Sequence, residues 1–182
     1  MTDILDKDEQ RFLLGLARQA IAHYLETGKP LHIKKPENRK FLEDRGAFVT
    51  LKVDGLLRGC IGYPLPVKPL VETIVEMAVA AATQDYRFES LTLEELPRAK
   101  IEISVLSLPE PVQDVSAIEV GRHGIIVSMG FARGLLLPQV PQEYGWDRET
   151  FLRHGCLKAG LEEDDWKKGA RIEVFTAQVF SE

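Results

Sequence analysis

Asp54-Gly55, set between Ala47-Phe-Val-Thr-Leu-Lys-Val53 and Leu56-Leu-Arg-Gly-Cys-Ile-Gly62, constrains this chain more than any other feature. A two-residue Asp-Gly loop between apolar-rich runs is the strongest short-range hairpin signal, because a type I′ turn needs positive φ at both central positions. Such a loop sets Val53 opposite Leu56, Leu51 opposite Arg58 and Val49 opposite Cys60. Alternation along the strands then places Arg58, Cys60 and Gly62 on the face of Ala47, Val49, Leu51 and Val53. An arginine and one of only two cysteines are therefore expected to point into a largely apolar layer. A nearby cation favours a thiolate and apolar burial opposes it, so the reactivity of Cys60 is set by the balance between them.

A chain of 182 residues that is 45% hydrophobic can bury one sizeable core, or one core with a smaller lobe. Its formal net charge of −5 argues against an electrostatic nucleic-acid surface. The basic segment Pro30 to Arg45 holds Lys34, Lys35, Arg39, Lys40 and Arg45, but Glu37, Glu43 and Asp44 dilute it, and it reads as a solvated loop or helix. With no signal-peptide order of residues and no apolar run near membrane-spanning length, the expected location is cytoplasmic. Cys60 and Cys156 form neither a disulfide framework nor a CxxC pair.

Along the chain, Asp8 to Leu25 predicts an amphipathic helix with Phe12, Leu13, Leu16, Ala20, Ile21 and Tyr24 at helical spacing and Gly28 as its stop. A short helical turn is expected around Asn38 to Asp44. After the hairpin, a helix from about Pro69 to Thr83 carries the run Ala78 to Ala82, small enough to let another element approach closely. Gln84 to Phe88 makes an exit loop, and Thr92-Leu-Glu-Glu95 has the form of a capping box. Lys100 to Leu108 alternates as a strand. Pro109 to Glu119 lacks periodicity and is the candidate lobe boundary. Gly124 to Met129 and Gly134 to Pro138 predict a second hairpin, Asp147 caps a helix to about Lys158, and Ala170 to Val179 predicts one last strand. Hairpins mixed with helices, without βαβ alternation, indicate an α+β fold.

Leu57-Arg-Gly-Cys-Ile-Gly62 resembles the signature of the AMMECR domain family, named after a chromosomal region linked to Alport syndrome, midface hypoplasia and elliptocytosis. Ala47-Phe-Val-Thr-Leu51 before it, Ala80-Ala-Ala82, Asp85-Tyr-Arg-Phe88 and Ile101-Glu-Ile-Ser-Val-Leu106 after it, and Gly124-Ile-Ile-Val127, Leu136-Leu-Pro-Gln-Val140, Trp146-Asp147, Phe151-Leu152, Cys156-Leu-Lys-Ala-Gly-Leu161 and Trp166 extend the resemblance in order. Tyr86 stands where the family usually has proline, and Val115 to Glu119 is shorter than the helix often found there. The resemblance implies a single domain over residues 1–182. It would be mostly antiparallel, with flanking helices about a curved, barrel-like sheet and two unequal lobes, the larger built from both termini. The family has no established biochemical activity. Its bacterial and archaeal members are often encoded with a Memo-type protein and a radical S-adenosylmethionine enzyme, which implies a shared pathway with those partners.

Cys60 is the first candidate nucleophile, with Arg58 two residues before it and Gly59 and Gly62 leaving room for a ligand near the backbone. Packing alone is the competing role for a free cysteine. Arg58 would bind a small polar or anionic ligand, or else pair with Glu72, Glu76, Asp85 or Glu102. Among the four histidines, His123, in the loop before the second hairpin, ranks ahead of His154 as a candidate base, while His23 and His32 read as surface groups. A metal site built from Cys60, Cys156 and histidines would lack the short paired spacings of zinc sites. No P-loop or dinucleotide fingerprint is present, so no cofactor is implied. The leading expectation is an enzyme or enzyme component with a cleft between lobes lined by Arg58, Gly59, Cys60 and Gly62, with His123 as base. The alternative is a non-catalytic adaptor that binds Memo-like or radical-enzyme partners.

Overall fold

The Asp54-Gly55 turn takes the left-handed backbone its residues tolerate, with φ of 53° and 79°, and joins β1 (Ala47–Val53) to β2 (Leu56–Tyr63). The computed structural model describes residues 5–34 and 36–182. Lys35, one cation of the basic segment, lies outside the described residues. The chain divides into two compact units: the residues up to Leu106 together with Gln178–Glu182, and Ser107–Ala177.

In the larger unit, α1 (Lys7–Thr27) begins with a capping box in which the Asp6 side chain accepts from the Asp8 and Glu9 N–H groups and Glu9 accepts from the Asp6 N–H. Gly28 ends the helix at φ 69°, its N–H bonded to the Tyr24 carbonyl. Leu13, Ala17, Ala20 and Ile21 are fully buried, and removing the two larger side chains from water contributes on the order of 2 kcal/mol each. Phe12, which the spacing puts on the same stripe, is half exposed and stacks on Phe41 at 4.9 Å. The turn expected near Asn38 is a short 3-10 segment, Arg39–Leu42, capped by Asn38.

Helix α2 (Leu70–Thr83) is buried on almost every side apart from Glu72 and Glu76, because it packs against α1, β1 and β2. With β3 (Ala99–Leu106) and β8 (Ala177–Ser181), the hairpin makes a four-stranded sheet in the order β2-β1-β3-β8, β1 antiparallel to both neighbours. Ala47, Val49, Leu51, Ile101 and Ile103 are buried to the last Å² on one face. Thr50, Lys52 and Glu102 occupy the other, with Lys52 and Glu102 paired at 3.0 Å.

The smaller unit holds β4 (Glu110–Pro111), β5 (Gly124–Met129), β6 (Ala132–Leu136) and β7 (Arg171–Phe175), ordered β4-β7-β5-β6, with α3 (Val140–Glu143) and α4 (Arg148–Lys158). Asp147 caps α4 by accepting from the Thr150 N–H. Ile118, Ile125, Val127, Phe151, Leu152, Cys156 and Ile172 form its core. The fold is thus α+β, but the expected barrel-like sheet is corrected to two open four-stranded sheets. The run Ala170 to Val179 is also two strands in different sheets. Ser107 takes both main-chain groups of Thr176, donating its N–H to the carbonyl at 2.8 Å and accepting the Thr176 N–H on Oγ at 2.9 Å, and this ends the β7 ladder.

Candidate functional site

Two steps past the turn, the hairpin departs from the register that the Asp-Gly loop alone dictates. Val53 faces Leu56 and Lys52 faces Leu57, but Leu51 then faces Gly59, Thr50 faces Cys60 and Phe48 faces Gly62. Arg58 is the extra residue of a β-bulge, and a single inserted residue turns every later side chain of the strand to the opposite face. The expected pairing of Cys60 with Val49 is therefore corrected. Gly59 and Ile61 follow the apolar face of Val49 and Leu51, and Cys60 shares the outer face with Thr50.

The glycines of the signature have structural reasons. A Cβ on Gly59 would lie 2.0 Å from the carbonyl oxygen of Ala81, so β2 rests directly on the small-residue run of α2. A Cβ on Gly62 would lie 2.4 Å from both the Ala47 carbonyl oxygen and the Phe48 ring. The room expected beside these glycines for a ligand is filled by the chain itself.

β2 is the outermost strand of its sheet, so its outward N–H groups need partners from elsewhere. Asp85, in the segment that follows α2, supplies one of them. Asp85 Oδ2 accepts the Cys60 N–H at 2.9 Å. Since that N–H points away from β1, Cys60 and Thr50 form a non-hydrogen-bonded pair, the arrangement that brings side chains closest, and Thr50 Oγ1 donates to Cys60 Sγ at 3.2 Å. Cys60 is half-buried.

Asp85 is only 4% exposed and receives four hydrogen bonds. Besides Cys60, Arg87 donates from Nε to Oδ1 at 2.9 Å, from Nη2 to Oδ2 at 2.7 Å and from its main-chain N–H to Oδ1 at 3.2 Å. The Arg87 guanidinium, and after it the Cys60 and Arg87 N–H groups, hold the Asp85 carboxyl far below the usual carboxylate range against the opposing effect of burial. Arg87 itself remains 45% exposed at its side chain and lies over the Phe88 ring at 5.4 Å. Neither Asp85, Arg87 nor Thr50 stands out by residue type alone. The signal that marks them is the Asp85-Tyr-Arg-Phe88 segment next to an edge strand with donors to satisfy.

Arg58 faces the same covering segment. Its Nε and Nη2 fork onto the Glu95 carboxylate at 3.3 and 3.2 Å, and its Nη1 and Nη2 also donate to the Glu89 and Ser90 carbonyls. Glu95 is in turn fixed by the Thr92 capping box; the Thr92 N–H and then Arg58 lower its pKa. The partner of Arg58 is none of the four acids that its sequence neighbourhood suggests. Glu76 pairs with Tyr63 and Lys68, Glu102 with Lys52, and Asp85 with Arg87, while Glu72 lies on the exposed side of α2.

Cys60, Arg58, Gly59 and Gly62 thus come together in the larger unit, and His123 belongs to the smaller one. Its Nδ1 accepts the Glu119 N–H at 3.1 Å, which assigns the proton of the neutral ring to Nε2. His154 lies flat on Trp146, with centroids 3.8 Å apart, and Trp146 stacks on Tyr144. Cys156 is fully buried, and burial pushes its thiol pKa up. Among the described residues no group of three His, Cys, Asp or Glu is placed to hold a metal ion, and no helix is long and apolar enough to cross a membrane.

The fold and the signature hairpin define an α+β chain of two open antiparallel sheets whose LRGCIG strand is bulged and covered at its edge. The sequence model of the AMMECR1 family matches residues 14–180, and the chain belongs to that family. It is 52% identical to Protein MK0488 of Methanopyrus kandleri, an alignment covering 100% of this chain and 92% of the relative. It is 47% identical to Protein MJ0810 of Methanocaldococcus jannaschii, covering 98% and 92%. The crystal structure of an uncharacterized protein, PH0010, from Pyrococcus horikoshii superposes with a TM-score of 0.82 at 42% identity, covering 98% of this chain and 93% of that one.

Proposed function

We propose that the chain is a thiol-dependent enzyme or enzyme component whose reactive group is Cys60, acting in a shared pathway with Memo-like and radical S-adenosylmethionine proteins. One observation carries this reading: the Cys60 sulfur lies on the outer face of the sheet, half-buried, with Thr50 Oγ1 donating to it at 3.2 Å and the ion-paired Arg87 on the same carboxylate as its N–H. A cysteine held there is positioned by two partners, Thr50 and Asp85, and is still partly exposed, unlike the sealed Cys156. In the step envisaged, the thiol proton passes to solvent and the sulfur electron pair forms a bond to an electrophilic carbon. The group displaced from that carbon leaves with its bonding pair. No step is placed on His123.

The test is the rate at which iodoacetamide labels each thiol in the native chain. Cys60 is expected to react at least about tenfold faster than in the urea-unfolded chain, where positioning is lost. Cys60→Ser should abolish native labelling and Cys156→Ala should leave it unchanged. A Cys60 rate no higher than that of the unfolded chain would overturn the reading.

The adaptor reading is favoured by one feature of the same segment. Tyr86, between Asp85 and Arg87, is 95% exposed, and large exposed aromatic rings are enriched at binding surfaces. That reading expects co-purification with a Memo-like protein to be lost in Tyr86→Ala and to survive Cys60→Ser.

A further inference from the structure

Arg87 keeps N–H groups beyond those its ion pair with Asp85 uses. Of the five N–H groups on a guanidinium, Asp85 takes one on Nε and one on Nη2, and Nη1 has no partner among the described residues. The carboxylate that holds Arg87 is buried, accepts in bidentate fashion, and is itself pinned by two main-chain N–H groups. The Phe88 ring supports the guanidinium further. An arginine that only covered the sheet edge would gain nothing from so fixed an orientation of its exposed half. A preorganised fork of this kind matches the two oxygens of a carboxylate or phosphate.

The placement relative to the thiol follows from shared bonds. One oxygen, Asp85 Oδ2, accepts both the Cys60 N–H at 2.9 Å and Arg87 Nη2 at 2.7 Å. The guanidinium and the Cys60 main chain are therefore no more than two hydrogen-bond lengths apart. Arg58, by contrast, spends its donors on Glu95 and on the Glu89 and Ser90 carbonyls.

The geometry points to Arg87 and Cys60 as one subsite for an oxyanion-bearing small molecule: the outward N–H groups of Arg87 hold a carboxylate or phosphate and set the rest of the molecule against the Cys60 sulfur. This inference rests on the thiol reading above and adds the substrate class to it. Arg87 would be the binding residue, and Asp85 a positioning residue that acts through it.

The experiment compares Cys60 labelling by iodoacetate, which carries a carboxylate, with labelling by the neutral iodoacetamide, in the native chain, Arg87→Gln and Arg87→Lys. Arg87→Gln is expected to lower the ratio of the iodoacetate rate to the iodoacetamide rate about tenfold, and Arg87→Lys should recover part of that loss. Inorganic phosphate should slow iodoacetamide labelling of the native chain if phosphates share the subsite, whereas protection by acetate alone would limit the class to carboxylates. An iodoacetate to iodoacetamide ratio that does not respond to Arg87 would overturn the inference while leaving the thiol reading intact. Native Cys60 that reacts no faster with iodoacetamide than the unfolded chain would instead sink the thiol reading itself. If Arg87→Gln does not fold, salt decides on the native chain: raising ionic strength should slow iodoacetate alone, and equal slowing of both reagents counts against the subsite.

Discussion

Gly59→Ala is expected to destabilise the chain by about 3 kcal/mol or to prevent folding outright, because the new methyl group would meet main chain instead of a movable side chain. Its Cβ would lie 2.0 Å from the Ala81 carbonyl oxygen and 3.0 Å from the Ala81 carbonyl carbon, and no rotamer change relieves a contact between two backbones. The strand would have to lift from α2, exposing a seam that includes Leu51 and Ala78, both now fully buried. Gly15→Ala provides the control. It lies within α1 with nothing within 4 Å of its built Cβ, so helix propensity should make that change stabilising by about 0.5 to 1 kcal/mol. Urea midpoints for the two variants should move in opposite directions. A Gly59→Ala midpoint within experimental error of the parent would mean that β2 does not rest on α2 as described.

Asp85→Ala should cost about 3 kcal/mol, since it leaves Arg87 and the edge N–H of Cys60 without their shared acceptor. The carboxylate is buried and takes four hydrogen bonds, so its loss is felt at the covering segment and at the edge strand together. The same group sets an acid limit. In the folded chain the Asp85 carboxyl ionises well below its ordinary value, with the Arg87 hydrogen bonds as the main cause. A depressed folded pKa contributes stability that is fully present above the unfolded value, about 3.9, and fades as pH falls from there toward the folded value. Parent stability is therefore expected to decline between about pH 5 and pH 2, and Asp85→Asn to lose that part of the slope. Urea unfolding at pH 7 and pH 3 reads both effects. A slope unchanged by Asp85→Asn would show that other carboxylates carry the acid sensitivity.

How much of this was legible in the sequence depends on how local each cause is. The Asp54-Gly55 turn, the Asp147 cap, the Gly28 stop and the Thr92 capping box are written within four residues of where they act, and the structure has them where spacing predicts them, while the Asp6 cap of α1 is an addition from the structure. The close approach foreseen for Ala78 to Ala82 is also present, with β2 as the element that approaches. The bulge at Arg58 is different. It inserts one residue without any change of composition, and it alone decides whether Cys60 faces the core or the outer side. The partners of the signature are distant as well: Glu95 is 37 residues from Arg58 and Asp85 is 25 from Cys60. Spacing cannot single out one acid among many at such range. The division of the last strand at Thr176 is equally invisible locally, since it is set by Ser107, 69 positions earlier.

These corrections change the meaning of the signature. Gly59 and Gly62 lie hard against Ala81 and Phe48, and Arg58 fastens residues 89–95 over the sheet edge, so three of the four signature positions expected to line a ligand site each have a role in the fold. Cys60 is the fourth, and the bulge is what brings it to Thr50.

Cross-strand oxidation tests that most directly. A non-hydrogen-bonded antiparallel pair sets its Cα atoms about 4.5 Å apart, within disulfide range. Thr50→Cys, oxidised mildly in the folded state with Cys156→Ala as background, should therefore form an intramolecular disulfide with Cys60, seen as a loss of two hydrogens and a linked peptide pair by mass spectrometry. Val49→Cys, which faces the core with Gly59 and Ile61, should not. Cross-linking through position 49 in place of position 50 would restore the unbulged register and contradict the account.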